Sequence, residues 1–252
     1  MLKLDDVCVS YGYGDVVKNI SFETGGNLSV IGPNGCGKTT LLKAIANILK
    51  YRGDIKIDDK PVNKMKHKEL SSKVAMMSQT SGIYFSYSVY DTVMMGRYIH
   101  MKNGLLTMPS KDDENIVLNC LAALNLLDDK DREITELSGG QLQRVFLART
   151  IAQEPKIILL DEPTNHLDLK YQIELTEYLR EWSKQDGHMV VGVLHDINLA
   201  MRLSENLMIM KEGEIAAFGK TKEIINRELL REVYGIDVAG YMQNTFRLWE
   251  RF

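Results

Sequence analysis

The chain has 252 residues, 44% of them hydrophobic, enough to bury the core of one large domain or two closely joined ones. Its 31 basic and 34 acidic residues leave a formal net charge of −3, without the basic excess of a general nucleic-acid binder. No run reaches the roughly 18 apolar residues of a membrane-spanning helix, so any work at a membrane is expected to go through a partner. The start MLKLDDVCVS carries acids and no long apolar run, which speaks against a signal peptide. Cys8, Cys36 and Cys120 lie far apart without metal-ligand spacing, as expected of free thiols in a reducing cytosol.

The first third reads as short strands. Residues 2–10 and 19–23 alternate apolar and polar side chains, as half-buried strands do. The apolar run 28–31 leads into a glycine-rich loop, and a helical pattern with Leu41, Leu42, Ile45 and Leu49 on one side follows. Residues 52–57 and 73–77 are further strand candidates. From about 88 to 152 helical periodicity takes over. Ile116, Cys120, Ala123 and Leu124 recur at helical spacing behind an acidic start, Asp112-Asp113-Glu114, that suits a helix N-terminus. Residues 139–153 read as one helix stopped near Pro155. The block is expected to be a helical insertion in an α/β domain.

Strand–helix alternation returns in the last third. Residues 156–160, 189–194 and 207–210 are apolar runs of strand length. Between them a helix over about 169–183 carries Tyr171, Leu175, Tyr178 and Trp182 as an apolar stripe, more in keeping with core packing than with a ligand box. Lys211 to Glu214 reads as a hairpin turn. Such alternation predicts a mainly parallel sheet flanked by helices. There is no internal repeat and no low-complexity segment.

Gly32-Pro33-Asn34-Gly35-Cys36-Gly37-Lys38-Thr39 matches G-x-x-x-x-G-K-[ST] between a predicted strand and a predicted helix. Glycines let the backbone turn tightly enough for several N–H groups to point at one anion, and the helix adds its positive end. Lys38 is expected to reach the β- and γ-phosphates of a nucleotide and Thr39 to offer its hydroxyl to Mg²⁺; Thr40 follows in the same cradle. The run 157–160 delivers Asp161 and Glu162 to a strand's carboxyl end, where open α/β sheets bind ligands. Asp161 would hold Mg²⁺, largely through water. Glu162 would polarise the attacking water as general base.

Leu137-Ser138-Gly139-Gly140-Gln141 is identical to the signature of ATP-binding-cassette (ABC) ATPases, and it precedes the aspartate–glutamate strand in that family's order. About the first 220 residues resemble such an ATPase. The resemblance implies a P-loop α/β fold: a mainly parallel core sheet, an N-terminal antiparallel β subdomain and an inserted helical subdomain at about 88–152. The nucleotide-binding domain would span 1–226, with 227–252 a C-terminal extension packed on the core. It also implies ATP hydrolysis with Mg²⁺ by a head-to-tail homodimer. There Ser138, Gly139, Gly140 and Gln141 of one chain would meet the γ-phosphate bound by the other.

Further residues carry over singly. Tyr11 resembles the aromatic that stacks on adenine, with Tyr13 as a rival. Gln79 resembles the glutamine that contacts Mg²⁺ and water and senses the transporter. Asn165-His166-Leu167-Asp168 resembles the loop that crosses the dimer, with Asp168 linking the two sites. His195 resembles the histidine that holds the γ-phosphate and steadies Glu162. Cys36 stands where the family often has serine or alanine, and a thiol near a helix N-terminus is expected to have a lowered pKa. The partners implied are transmembrane permease subunits at the cytoplasmic face of the membrane and, indirectly, an extracytoplasmic binding protein, with no nucleic acid. Tyr84, Phe85, Tyr87 and Tyr90 would border the permease groove or belong to the core. Met95-Gly96-Arg97-Tyr98-Ile99-His100 resembles a motif of metal-chelate importers (iron–siderophore, haem, cobalamin), although those relatives usually have proline at the place of Ile99. Two rival readings stay open: a soluble ABC ATPase linked to ribosomes or DNA, and the motor of an exporter.

Overall fold

The computed structural model describes residues 1–78, 86–101, 108–165 and 167–250. The chain divides into two units, residues 1–61 with 193–252, and residues 62–192.

In the first unit, β1 (Leu2–Ser10), β2 (Asp15–Thr24), β4 (Arg52–Ile57) and β5 (Lys60–Pro61) form a four-stranded antiparallel sheet in the order β2-β1-β4-β5. Strict alternation holds only for the start of β1. The register shifts past Asp5, Asp6 takes φ 49°, and Val7, Cys8 and Val9 are then buried in succession. A bulge of this kind re-aims the strand, which alternation alone could not foretell. The fully buried β3 (Leu28–Ile31) pairs in parallel with β9 (Asn206–Lys211), and β10 (Glu214–Lys220) returns antiparallel beside it. Glu212 and Gly213 make the connecting turn, both at positive φ (50° and 90°), as a two-residue hairpin favours. Phe22 of β2 meets Phe218 of β10 with ring centroids 5.4 Å apart. The unit's helices are α1 (Lys38–Ile45), α7 (Ile197–Leu203), α8 (Thr221–Ile224), α9 (Arg227–Tyr234) and α10 (Val238–Trp249).

In the second unit, β6 (Val74–Met77) runs parallel to β7 (Ile157–Asp161), with β8 (Met189–Val193) on the other side of β7. Every residue of β7 and β8 is buried, so both read as continuous apolar runs. The helices are α2 (His67–Lys73), α3 (Val89–Met94), α4 (Lys111–Ala123), α5 (Gly139–Ala152) and α6 (Leu169–Trp182), of which α3, α4 and α5 pack on one another. Helix α5 stops where Glu154 turns to φ 53° ahead of Pro155; a left-handed residue followed by proline cannot continue a helix.

The buried residues of α4 are Asp113, Val117, Cys120 and Leu121, with Leu124 buried just past its end; of the expected stripe Cys120 and Leu124 are covered, Ile116 is half-buried and Ala123 is exposed. An acid, Asp113, sits on the buried face. Asp113 closes a capping box with Ser110 and accepts from Arg97 Nε at 2.9 Å. Burial pushes its carboxyl up, but the hydrogen bonds from Ser110 and Arg97 outweigh that and hold it below the usual carboxylate range. Arg97 is itself buried and also donates to Ala152 O and Glu154 Oε2, each at 2.7 Å. His100 Nε2 lies 3.0 Å from Gln153 O. A Cβ on Gly96 would stand 2.3 Å from Arg149 O. The segment 95–100 is thus a brace that clamps the start of α4 to the end of α5.

Of the C-terminal extension, α9 buries Leu230 and Val233, whereas α10 leaves Tyr241, Phe246, Leu248 and Trp249 more than half exposed. Val238 at the start of α10 is buried as well.

Candidate active site

The glycine loop of the first unit runs from the end of β3 into α1. Gly35 and Gly37 take φ 79° and 99°, values open to glycine at no steric cost. At Gly32 and Gly37 a Cβ would stand 2.2 Å from Met210 O and 2.8 Å from Val16 O. Gly37 caps α1 with no side-chain hydrogen bond, which leaves the helix-start amides to face an anion. Lys38 is buried, and its Nζ donates to Gly32 O at 2.8 Å and Pro33 O at 2.9 Å, with Cys36 Sγ at 4.0 Å. An ammonium has three donors; two are fixed on the loop's own carbonyls, so the charge is anchored inside the cradle. Pro33 and Thr39 are partly exposed, Asn34 and Gly35 exposed, and Thr40 is buried.

Cys36 corrects the expectation of an acidified thiol. It is buried, and burial pushes the thiol up by more than the neighbouring Lys38 charge and the backbone pull it down. A helix N-terminus activates a thiol only where the thiolate can be solvated. Tyr11 is 55% exposed, yet its hydroxyl lies 3.3 Å from Thr40 Oγ1. That contact ties the aromatic ring to the cradle, whereas Tyr13 is fully exposed. His195 is exposed just before Asp196, whose carboxylate caps α7 by accepting from the backbone N–H of Asn198 and Leu199.

In the second unit, β7 ends on Asp161, which is buried, and Glu162 follows at φ 54°. A non-glycine residue in the left-handed region is a strained position of the kind found where a side chain must be aimed. Asn165 Nδ2 donates to Glu162 Oε2 at 2.6 Å. Sequence reasoning gave Asn165 no part in orienting Glu162; its signal was an amide three residues after the acid, within reach across one turn. Gln172 of α6 donates to Thr164 O and Leu167 O, and Gln143 of α5 to Pro163 O, so two helices pin the chain at Pro163, Thr164 and Leu167. Asp168 accepts from Tyr171 N as the N-cap of α6. Tyr171, Leu175 and Tyr178 line a cavity of about 380 Å³ beside Leu167, so the stripe of α6 is only partly filled core.

The signature forms the start of α5. Ser138 and Gln141 close a capping box, Ser138 Oγ accepting from Gln141 N and Gln141 Oε1 from Ser138 N. Ser138 and Gly139 are exposed, and Gly140 and Gln141 partly so. Gln79, Tyr84, Phe85 and His166 lie outside the described residues. Tyr87 is 43% exposed, and Tyr90 is half-buried.

A glycine loop that holds a lysine at a helix start, with paired acids at the end of a buried strand, defines a P-loop ATPase. The model of the ABC transporter family matches residues 17–165. An uncharacterized ABC transporter ATP-binding protein of Methanocaldococcus jannaschii is 42% identical over 97% of this chain and 94% of its own length. The ferric enterobactin transport ATP-binding protein FepC of Escherichia coli is 35% identical, over 93% of this chain and 87% of its own. Among solved structures, a metal-chelate type ABC transporter in an inward-facing conformation superposes with a TM-score of 0.81 at 30% identity, covering 94% of this chain and 89% of that one. A dimeric ATP-binding cassette in a post-hydrolysis state bound to ADP and phosphate gives a TM-score of 0.77 at 31% identity, over 87% of this chain and 98% of that one. The chain belongs to the ABC transporter family as an ATP-binding subunit, and it is an ATPase that converts ATP and water to ADP and phosphate.

Proposed function

We propose that this chain powers the import of a metal chelate through a separate permease, as a head-to-tail dimer at the cytoplasmic face of the membrane. The observation that carries the dimer is the exposure of Ser138 and Gly139 at the start of a 14-residue helix. A capped, glycine-lined helix start is built to receive an anion, and the γ-phosphate held by a second copy fits it. The dimeric relative bound to ADP and phosphate supports the same arrangement. The chelate reading rests on relatives named for ferric enterobactin, for petrobactin and for iron(3+)-hydroxamate. In this reading residues 1–226 form the nucleotide-binding domain, 88–152 its helical part and 227–252 an extension. An extracytoplasmic binding protein would deliver the chelate.

Lys38 and the loop amides bind the β- and γ-phosphates, Tyr11 faces the adenine, and Thr40 holds the Tyr11 hydroxyl. Glu162, aimed by Asn165, takes a proton from the attacking water. His195 would hold the γ-phosphate and steady Glu162, Gln79 would contact Mg²⁺ and that water, and Asp168 would connect one site to the other. The donor set suits Mg²⁺: Thr39 offers a hydroxyl and the buried Asp161 a carboxylate, both hard oxygens. When bound, Mg²⁺ neutralises charge on the transferring phosphoryl group. Catalysis is otherwise positioning and charge stabilisation. ATP-dependent uptake of ferric siderophore by proteoliposomes containing this chain and a co-purifying permease tests the proposal. ATP hydrolysis without chelate movement in either direction would sink it.

A further inference from the structure

Helices α5 and α6, with the end of α4, border the cavity of about 380 Å³, a size within the range of small-molecule sites. Its wall is mostly apolar, from Leu124, Leu147, Leu167, Leu175, Tyr171 and Tyr178. Arg144 of α5 lines it too, and part of its guanidinium is engaged. The guanidinium lies over the Tyr171 ring, 4.5 Å from its centroid, and Nη1 donates to Leu124 O at 3.1 Å and Asn125 O at 3.4 Å. Arg144 Nε is buried and has no hydrogen-bond partner among the described residues. A buried donor without an acceptor is rare and unfavourable. The two acids of the wall are answered by residues outside it: Glu174 pairs with Lys170 at 3.9 Å and Glu177 with Arg180 at 3.2 Å. Leu167 faces two ways. It lines the cavity, and a Cβ on Gly140 of the signature would meet its Cδ2 at 3.4 Å.

We propose that this cavity binds a neutral, mainly apolar molecule of about one ring that carries a carbonyl, and that its filling is felt at the signature through Leu167. The apolar wall takes the body of the molecule, and the carbonyl oxygen accepts from Arg144 Nε. A guanidinium only donates, so the ligand must bring the acceptor. Glu174 and Glu177 in the same wall repel an anion, which makes a carbonyl a better match than a carboxylate. Leu167 then carries the occupancy of the cavity to Gly140, one residue from the exposed Gly139 that is to meet phosphate.

The test titrates acetophenone, and ethylbenzene as its counterpart without the carbonyl, into the full chain labelled at leucine methyls and backbone amides for NMR. Acetophenone should shift the Leu167 and Leu175 methyl signals and the Gly140 amide saturably. Ethylbenzene should bind about tenfold more weakly, the effect of one hydrogen bond to a charged group. Arg144→Met should bring the two probes to equal affinity. Ala123→Phe, at an exposed position of the same wall, should block both. Equal affinity of the parent for the two probes, or cavity shifts that persist in Ala123→Phe, overturns the proposal. So does the absence of any saturable shift at Leu167. A Gly140 amide that stays in place while Leu167 moves breaks the link to the signature. The pair of probes on the parent chain decides the ligand chemistry even where Arg144→Met fails to fold.

Discussion

Asn165 Nδ2 stands 2.6 Å from Glu162 Oε2, across a single turn that Glu162 enters at φ 54°. A charge-assisted bond of this length fixes the carboxylate, and the left-handed backbone directs it off the end of β7. The base proposed for ATP hydrolysis is thus aimed by its own loop.

Two substitutions separate basicity from aim. Glu162→Gln should bind ATP normally and lower kcat by about 10²- to 10⁴-fold, the usual contribution of a general base. Asn165→Ala should lower kcat by about tenfold with little change in the KM for ATP, since only orientation is lost. Steady-state kinetics on the permease-coupled ATPase decides. A near-normal kcat for Glu162→Gln would remove Glu162 from the role.

The composite site is tested through its signature. With MgATP, Glu162→Gln should sediment as a dimer, because nucleotide is bound and not consumed. Adding Gly139→Asp places a carboxylate where phosphate is to sit, and the double variant should remain monomeric at the same protein concentration.

Cys36 gives a prediction opposite to the one its sequence position suggests. The thiol is buried and its pKa is raised, so maleimide at pH 7 should modify it at least about tenfold more slowly than a free exposed thiol. Mass spectrometry of native and urea-unfolded protein measures the ratio. Rapid native labelling at Cys36 would contradict the geometry.

The Arg97 brace predicts a stability cost. Arg97→Met leaves Asp113 buried without its partner and should cost about 3–5 kcal/mol. In an Asp113→Asn background the same change should cost clearly less, because the two residues act as a pair. Gly96→Ala forces a Cβ toward Arg149 O and should cost about 1–3 kcal/mol. Urea unfolding of the four chains and the parent gives each value.

The same carboxylate sets a pH dependence. The Asp113 pKa is lowered in the fold, so its stabilisation is complete above the unfolded carboxyl value of about 4. It is lost as pH falls through the lower folded value. The difference in unfolding free energy between parent and Asp113→Asn should be constant from pH 7 to 5 and shrink below about pH 4. A difference that grew on acidification would reverse the sign of the argument.

The sequence by itself determined the chemistry-bearing units that are local in the chain. The glycine loop before α1, the Ser138–Gln141 capping box before α5 and the apolar run ending in Asp161 are each set by steric freedom, capping and burial over a few residues. Their order also fixed the family. Only the tertiary structure decided what depends on partners distant in sequence. Burial reversed the expected titration of Cys36. The Arg97 pairing satisfies Asp113 on the covered face of α4, where the apolar pattern gave no place to an acid. Local pattern records a residue's own conformational preference; its desolvation and its hydrogen-bond partners belong to whatever the fold packs against it.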